Sequence, residues 1–307
     1  MAIDYANVLK SIGISFEVVG RNNTKCDLFE KATGIKPFKG GIEKYITETS
    51  NVNINAKVII AVNVLELNNV CLFLLNAGFK DILLEKPGVA RLNSIDELVE
   101  ISNKLNASVL LAYNRRFYAS VIEAEKIIIE DGGVSSFNFE FTEWSHIIEK
   151  LDNDQIVLNN WLVGNSTHVI DLAFFLGGFP KQLSTYSAGG IKWHPDSSIF
   201  AGAGSTKNGA LFSYNANWEA PGRWVVEILT KRRRIILKPL EKIQIQELGS
   251  VAINFIDCDD SNDTQFKPGI YLQTLNFLKG DYTRFCTIED QKNNIYNYYV
   301  KMAGYKL

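Results

Sequence analysis

Three groups of residues in this chain combine the side chains and spacings that proton transfer or anion binding needs. The first is Glu85-Lys86-Pro87, a charged pair and a proline that end the apolar run Ile82-Leu83-Leu84. A lysine at the C-terminal end of a buried parallel strand sits where open α/β sheets bind ligands, and proline stops the strand there. Lys86 could donate to a substrate hydroxyl or carbonyl, or join a proton relay, if neighbours bring its pKa towards the working pH. An ordinary ion pair with Glu85 is the plainer reading, weakened because adjacent strand residues point to opposite faces. The second group lies in Gly164-Asn165-Ser166-Thr167-His168-Val169-Ile170-Asp171-Leu172. On a helix, Asn165 and His168 share a face and Asp171 lies within reach of His168. A histidine beside a carboxylate is an acid/base candidate near neutral pH, although a histidine amid apolar residues also serves as a satisfied core group. The third group is Asn114-Arg115-Arg116-Phe117. Its arginines could meet a nucleotide or an anionic sugar substituent, or form a structural pair between two halves of the chain. His146 and His194 show no comparable partners, and nothing has metal-ligand spacing.

The elements that must hold these groups follow from length and pattern. At 307 residues there is room for two domains, and 46% hydrophobic with 21% charged residues describes an ordinary soluble protein. Lys plus Arg number 32 against 34 Asp plus Glu, so no basic excess exists to hold a nucleic-acid backbone or an anionic membrane. Cys26, Cys71, Cys258 and Cys286 are scattered without a CxxC pair, which fits a reduced, cytoplasmic setting. The N-terminus lacks a secretory profile, and no apolar run approaches the roughly 20 residues that span a bilayer.

Residues 1–117 alternate short apolar runs with amphipathic ones, the rhythm of βαβ units feeding a parallel sheet. Strands are expected at 15–19, 57–61, 82–85 and 109–113, with helices at 2–11, 26–33, 42–48, 66–77 and 95–105. Gly34 and Gly78 fall at helix ends, and Ser94 with Glu97 forms a capping-box pattern. After a helix near 119–130, strands at 135–143, 210–218, 224–230 and 234–237 surround a helix at 166–176. Residues 118–307 therefore read as a second, α+β domain on a largely antiparallel open sheet. Lys231-Arg232-Arg233-Arg234 reads as an exposed hairpin turn, and 269–278 and 291–302 as helices packing back on the first half.

A dinucleotide-binding fold begins with a strand, a G-x-G-x-x-G/A turn and a helix facing the pyrophosphate. Here the written chain opens on what looks like that helix, with Ala2 at the third position of the turn. A truncated reading frame is one expectation, and another segment filling the place of the first strand is the alternative. The second strand ends in Gly20-Arg21-Asn22, where an acidic residue would hold the ribose of NAD and an arginine accommodates the 2′-phosphate of NADP. Arg21 leans towards NADP, against the alternative of a solvated turn arginine.

Taken together, the sequence resembles the glucose-fructose oxidoreductase / inositol dehydrogenase (Gfo/Idh/MocA) family. Glu85-Lys86-Pro87 matches its EKP signature, Ala112-Tyr113-Asn114-Arg115-Arg116-Phe117 its G-Y-N-R-R-F segment, and His168-Val169-Ile170-Asp171 its H-x-x-D helix. Phe266-Lys267-Pro268-Gly269 with Gln273 and Phe277 is similar to its closing pattern, so the likeness runs in order along nearly the whole chain. The resemblance implies a Rossmann domain followed by an α/β domain whose open sheet forms a homodimer or homotetramer interface. It implies hydride transfer between NADP or NAD and a sugar or nucleotide-sugar, with surface-polysaccharide synthesis as a setting. Lys86 and His168 would be catalytic, with Trp161, Asn165 and Asp171 beside them at the sugar. Cofactor contacts would come from Gly20, Arg21, Asn22, Ala61, Asn63, Glu85, Lys86, Asn114 and Arg115. The family's carboxylate four residues before the histidine is Gly164 here, and a histidine often found after the fourth strand is Leu67. Proton relay is then left to Asn165, Asp171 or Lys86. A catalytically silent sugar-binding or assembly subunit is the competing reading.

Overall fold

The computed structural model describes residues 1–305. Its first part follows the expected βα rhythm: α1 (Ala2–Ser11), β1 (Val19–Gly20), α2 (Asn23–Thr33), β2 (Phe38–Lys39), α3 (Ile42–Glu48), β3 (Val58–Ile60), α4 (Leu67–Asn76), β4 (Asp81–Leu84), α5 (Ile95–Lys104) and β5 (Ser108–Leu111). Strands β3, β4 and β5 are parallel neighbours, and the continuous burial of Ile82, Leu83 and Leu84 reflects helices on both faces. Gly34 ends α2 in the left-handed conformation, as its place in the sequence suggests. The expected capping box at Ser94 does not form. Ser94 belongs to a 3-10 turn with helical backbone, whereas a capping side chain needs an extended one.

The expected strand 15–19 shrinks to Val19–Gly20, which pairs only with Phe38–Lys39. These two strands form a sheet separate from the four-stranded β14-β5-β4-β3, in which β14 is Cys286–Thr287. In the 3-2-1-4-5-6 order of a doubly wound sheet, β1 and β2 hold places 2 and 3, and β3 to β5 hold 4 to 6. Between β1 and β3 the described residues place no strand, so residues 15–18 find no ladder on that side.

The second part comprises α6 (Ala119–Glu130), β6 (Ser136–Glu140), α7 (Ser145–Ile148), α8 (Gln155–Asn159), α9 (Thr167–Gly177), β7 (Pro180–Ala188), β8 (Ile199–Thr206), β9 (Leu211–Asn217), β10 (Val225–Leu229), β11 (Arg233–Leu237), β12 (Gln244–Glu247) and β13 (Asn254–Phe255). Eight strands line up as β13-β12-β11-β10-β6-β9-β8-β7, all antiparallel except β6 beside β9. Alternation turns Phe137, Phe139, Phe212 and Tyr214 towards α9, where Phe174 meets Phe139 and Phe212 edge-on at 5.5 and 5.4 Å. Gly177 lets α9 lie this close, since a Cβ there would sit 2.4 Å from the Phe137 ring. The turn 231–234 joins β10 to β11 as expected, but Arg233 is no mere solvated residue. It folds back to donate to both carboxylate oxygens of Asp131 at 2.7 and 2.9 Å, and burial of that carboxylate makes the turn an anchor for α6.

The closing residues form α10 (Ser261–Gln265), α11 (Ile270–Lys279), β14, α12 (Ile288–Asn294) and α13 (Val300–Ala303). They return to the first part: α11 packs on α1, α12 packs on α5, and β14 adds antiparallel to β5. Tyr5, Val8, Leu83, Leu110, Phe117, Ile270 and Phe277 share one core cluster, which ties the α1–α11 pair to one face of β4 and β5. Gly269, at φ 76°, passes so near the carbonyl of Asn114 that a Cβ would lie 2.1 Å from its oxygen. The segment just past β5 is thus closely packed against the closing residues. Among the described residues no helix is long and apolar enough to cross a membrane.

Candidate active site

Beyond Leu84 the chain leaves β4 through Glu85, whose backbone N–H still donates to Ile60 O at 3.0 Å. The buried Glu85 carboxylate accepts the Tyr5 hydroxyl at 2.8 Å, and burial pushes its pKa up. It is therefore fixed to α1, and the Lys86 amine turns elsewhere. Lys86 Nζ donates to the carbonyl of Gly164, in the π-helical turn Leu162–Ser166 that leads into α9. Such turns recur at functional sites. Burial, and next the nearby Arg115 charge, bring the Lys86 pKa down to about 7.

His168 follows Gly164 by about one helical turn, so the contact from Lys86 brings the two candidates to one place. The imidazole packs edge-on to Tyr113 at 6.2 Å and against Trp224 at 6.1 Å, and its Nδ1 has no hydrogen-bond partner among the described residues. Burial, with Arg115 and Lys86 adding to it, holds His168 well below the usual imidazole pKa, so the ring is neutral at pH 7.

Asp171 corrects the sequence expectation. It does not serve His168 or a substrate, because both its oxygens accept from Arg116, Nε at 2.8 Å and Nη2 at 2.6 Å, in a buried ion pair. Arg116 also donates to Arg284 O at 3.1 Å, which joins the segment after β5 and the closing segment to α9. The structural alternative for the arginine pair thus holds for Arg116. His194 is likewise partnered, with Ser197 O 2.6 Å from Nδ1 and the Tyr305 hydroxyl 2.8 Å from Nε2.

A carboxylate that the motifs did not reveal stands where Gly164 lacks one. Glu143, just past β6, accepts Asn165 Nδ2 at 3.0 Å and Ser166 Oγ at 2.7 Å on the same oxygen, and its other oxygen is 3.7 Å from Arg223 Nη1. It is 2% exposed, and burial raises its pKa. Arg223 and Trp224 were also missed. Trp224 stood only as the first residue of the expected strand 224–230 and Arg223 just before it, so neither carried a site signal. Trp161 is buried edge-on to Trp193 at 5.7 Å, and its Nε1 has no partner among the described residues.

On the cofactor side the expected residues are dispersed among local tasks. A Cβ at Gly20 would meet Cys26 Sγ at 2.4 Å. Arg21, 70% exposed, pairs with Glu66 at 3.0 Å. Asn22 caps α2 by accepting Lys25 N at 2.9 Å, and Asn63 caps a short turn by accepting Leu65 N at 3.0 Å. Asn114 donates to Pro268 O at 2.9 Å. Ala61 is half-buried at the end of β3.

No protein-family model matches this sequence, and no curated protein matches it. Solved structures match along nearly its whole length. UDP-N-acetylglucosamine 3-dehydrogenase GnnA from Acidithiobacillus ferrooxidans is 14% identical, with 99% of this chain and 94% of that one covered at a TM-score of 0.72. Levoglucosan dehydrogenase, solved with NADH and levoglucosan, is 16% identical over 99% and 93% at 0.73. The WlbA dehydrogenase from Bordetella pertussis, solved with NADH and UDP-GlcNAcA, is 16% identical over 99% and 93% at 0.71. The fold is accordingly the mixed α/β one of these oxidoreductases, a parallel sheet followed by a large, mostly antiparallel sheet.

Proposed function

We propose that this chain is a nicotinamide-dependent oxidoreductase acting on a carbinol or keto carbon of a sugar or nucleotide-sugar, with residues 1–117 facing the cofactor and the rest the substrate. The observation that carries the proposal is the contact of Lys86 with Gly164, one turn before His168. It joins the end of a parallel strand, where such sheets bind ligands, to a neutral histidine in a half-buried place. That the similar structures are dehydrogenases supports it.

On this reading a nicotinamide dinucleotide would be met at its two ends. Arg21 and Gly20 stand at the end of β1 for the ribose or its phosphate, and Ala61 and Lys86 at the ends of β3 and β4 for the nicotinamide. The pyrophosphate cradle is not among the described residues. When bound, the nicotinamide would take or give the hydride. The chain's own residues manage the proton: with a pKa near 7, Lys86 exchanges one with the substrate oxygen at working pH. His168, neutral well below that range, positions the oxygen through a ring nitrogen. Asn165, held by Glu143, lies on the same turn to receive a sugar hydroxyl.

The pH dependence follows with its sign. Oxidation needs the neutral amine, so its rate rises as pH passes upward through about 7, while reduction needs the ammonium and falls over the same window. Glu143 favours the charged form of Lys86. Glu143→Gln keeps its acceptor oxygen but removes that charge, and both inflections should move to lower pH. Rate profiles for the two directions check this; an unmoved inflection would remove Glu143 from the charge environment of Lys86.

The function is tested by incubating the protein with NADP or NAD and a panel of sugars and UDP-sugars while following nicotinamide absorbance. Substrate-dependent reduction supports the proposal, and its absence across the panel in both directions opposes it. A second reading, a sugar-binding or assembly subunit without cofactor, is favoured by the separation of the β1–β2 sheet from β3. We also propose that the open face of the eight-stranded sheet, with small residues such as Ala201, Ala203 and Ser213, packs against a second copy of the chain as a homodimer or homotetramer.

A further inference from the structure

The two turns that meet at the Lys86 amine are tied together a second time, behind it, by one side chain of the closing segment. Gln291, on α12, is completely buried. Its Nε2 donates to Pro87 O at 3.2 Å, the carbonyl next after Lys86, and its Oε1 accepts the Tyr113 hydroxyl at 3.0 Å. Those partners stand just past the ends of β4 and β5, 204 and 178 residues away along the chain. An amide can donate at one end and accept at the other without bringing charge into a core.

The Tyr113 hydroxyl also lies beside Thr167, whose own hydroxyl donates to Val163 O at 2.7 Å. Val163 precedes Gly164 in the π-helical turn, and Gly164 O is the acceptor of Lys86 Nζ. Polar contacts therefore run in a circuit from Pro87 through Gln291, Tyr113 and Thr167 to the turn that receives the Lys86 amine. The Tyr113 ring is also the edge against which His168 packs at 6.2 Å. None of the three linking side chains is more than 1% exposed, so water does not replace a lost member. A lysine stem is flexible and burial disfavours its charge, so the amine stays in place only where the backbone it grows from and the carbonyl it reaches are both fixed.

We propose that Gln291 is a positioning residue for proton exchange: it holds the backbone at Lys86 and, through Tyr113, the turn that carries Gly164 and His168, at the separation in which the amine rests on that turn. This rests on the oxidoreductase reading and adds to it a residue of the closing segment that acts only through its neighbours.

The test follows the protonation of Lys86 in the full chain, by acetic anhydride labelling across pH with mass spectrometry of the Lys86 peptide. In the native protein the inflection is expected at about 7. Gln291→Met fills a similar volume without either hydrogen bond. Its Lys86 should titrate about one pH unit higher or more, because burial is what lowers the native value and a released amine regains water. Arg115, Glu85, Glu143 and Lys267, whose charges act on the amine, all remain, so the shift reports position and not charge. Tyr113→Phe, which cuts the circuit at its next member, should give a similar shift, and the double replacement little more than either alone. Turnover should fall about tenfold in each, with KM changed less than about threefold. Lys292→Ala breaks the 2.8 Å pair with Asp96 on the same helix and should leave the inflection where it is. An unmoved inflection in folded Gln291→Met and Tyr113→Phe overturns the proposal. So does an equal shift in Lys292→Ala, which would assign the effect to the helix and not to the amide. If Gln291→Met fails to fold, Tyr113→Phe, which keeps its ring in the core, decides. Failure of the parent reading looks different: the Lys86 shift appears while no sugar is turned over in either direction.

Discussion

Lys86→Met is expected to lower the turnover number by roughly 10²–10⁴, the usual worth of a positioned acid or base, with KM changed much less. The reason lies in three observations. The amine is held on the Gly164 carbonyl, its pKa sits near 7, and the neighbouring His168 is too strongly neutral to take over proton exchange at that pH. The methionine keeps a half-buried apolar stem but carries no exchangeable proton. Thermal unfolding should show little loss, since removing a desolvated amine relieves a cost as well as removing a contact. His168→Ala should lower turnover less steeply in its pH dependence, because the inflection near 7 belongs to Lys86. If Lys86→Met and His168→Ala both kept full turnover, the assignment of the proton pathway would be wrong.

Asp171→Asn is expected to destabilise the protein by about 3–5 kcal/mol, the cost of leaving a buried cation without its partner. Arg116 donates two short bonds to this carboxylate and a third to Arg284 O, with both side chains under 10% exposed. The pair joins the segment after β5 to α9 and to the closing residues, so its loss loosens the element that carries His168. The double replacement Arg116→Met with Asp171→Leu should cost less than Asp171→Asn, because no unpaired charge remains. Urea unfolding of the three proteins measures the difference; equal stability of Asp171→Asn and the native chain would contradict the structural role.

Much of this was legible in the sequence because the relevant signals are local. The apolar run broken at Glu85-Lys86-Pro87 marks a buried strand and its end, and α9 shows its periodicity around His168. Partnerships were not legible. Asp171 stands three residues from His168, the spacing of neighbours on a helix, yet an arginine distant in sequence binds it more strongly than any helical neighbour could. Glu143 reads as the last residue of an alternating strand; only the packing of β6 against α9 brings it to Asn165 and Ser166. Strands β7 and β8 hid for a different reason. The half-buried positions of β8 include Gly202 and Gly204, and exposed Tyr186 and Ile199 stand among small residues, which blurs the two-residue alternation that marks a half-buried strand.

The most direct measurement is a titration of the protein with NADPH and with NADH, following the fluorescence of the reduced nicotinamide. Saturable binding in roughly the micromolar range is expected for at least one of them, with Lys86→Met retaining it and Arg21→Ala weakening NADPH in preference to NADH. No saturable binding of either nucleotide would contradict the nicotinamide-dependent reading and leave the cofactor-free subunit in its place.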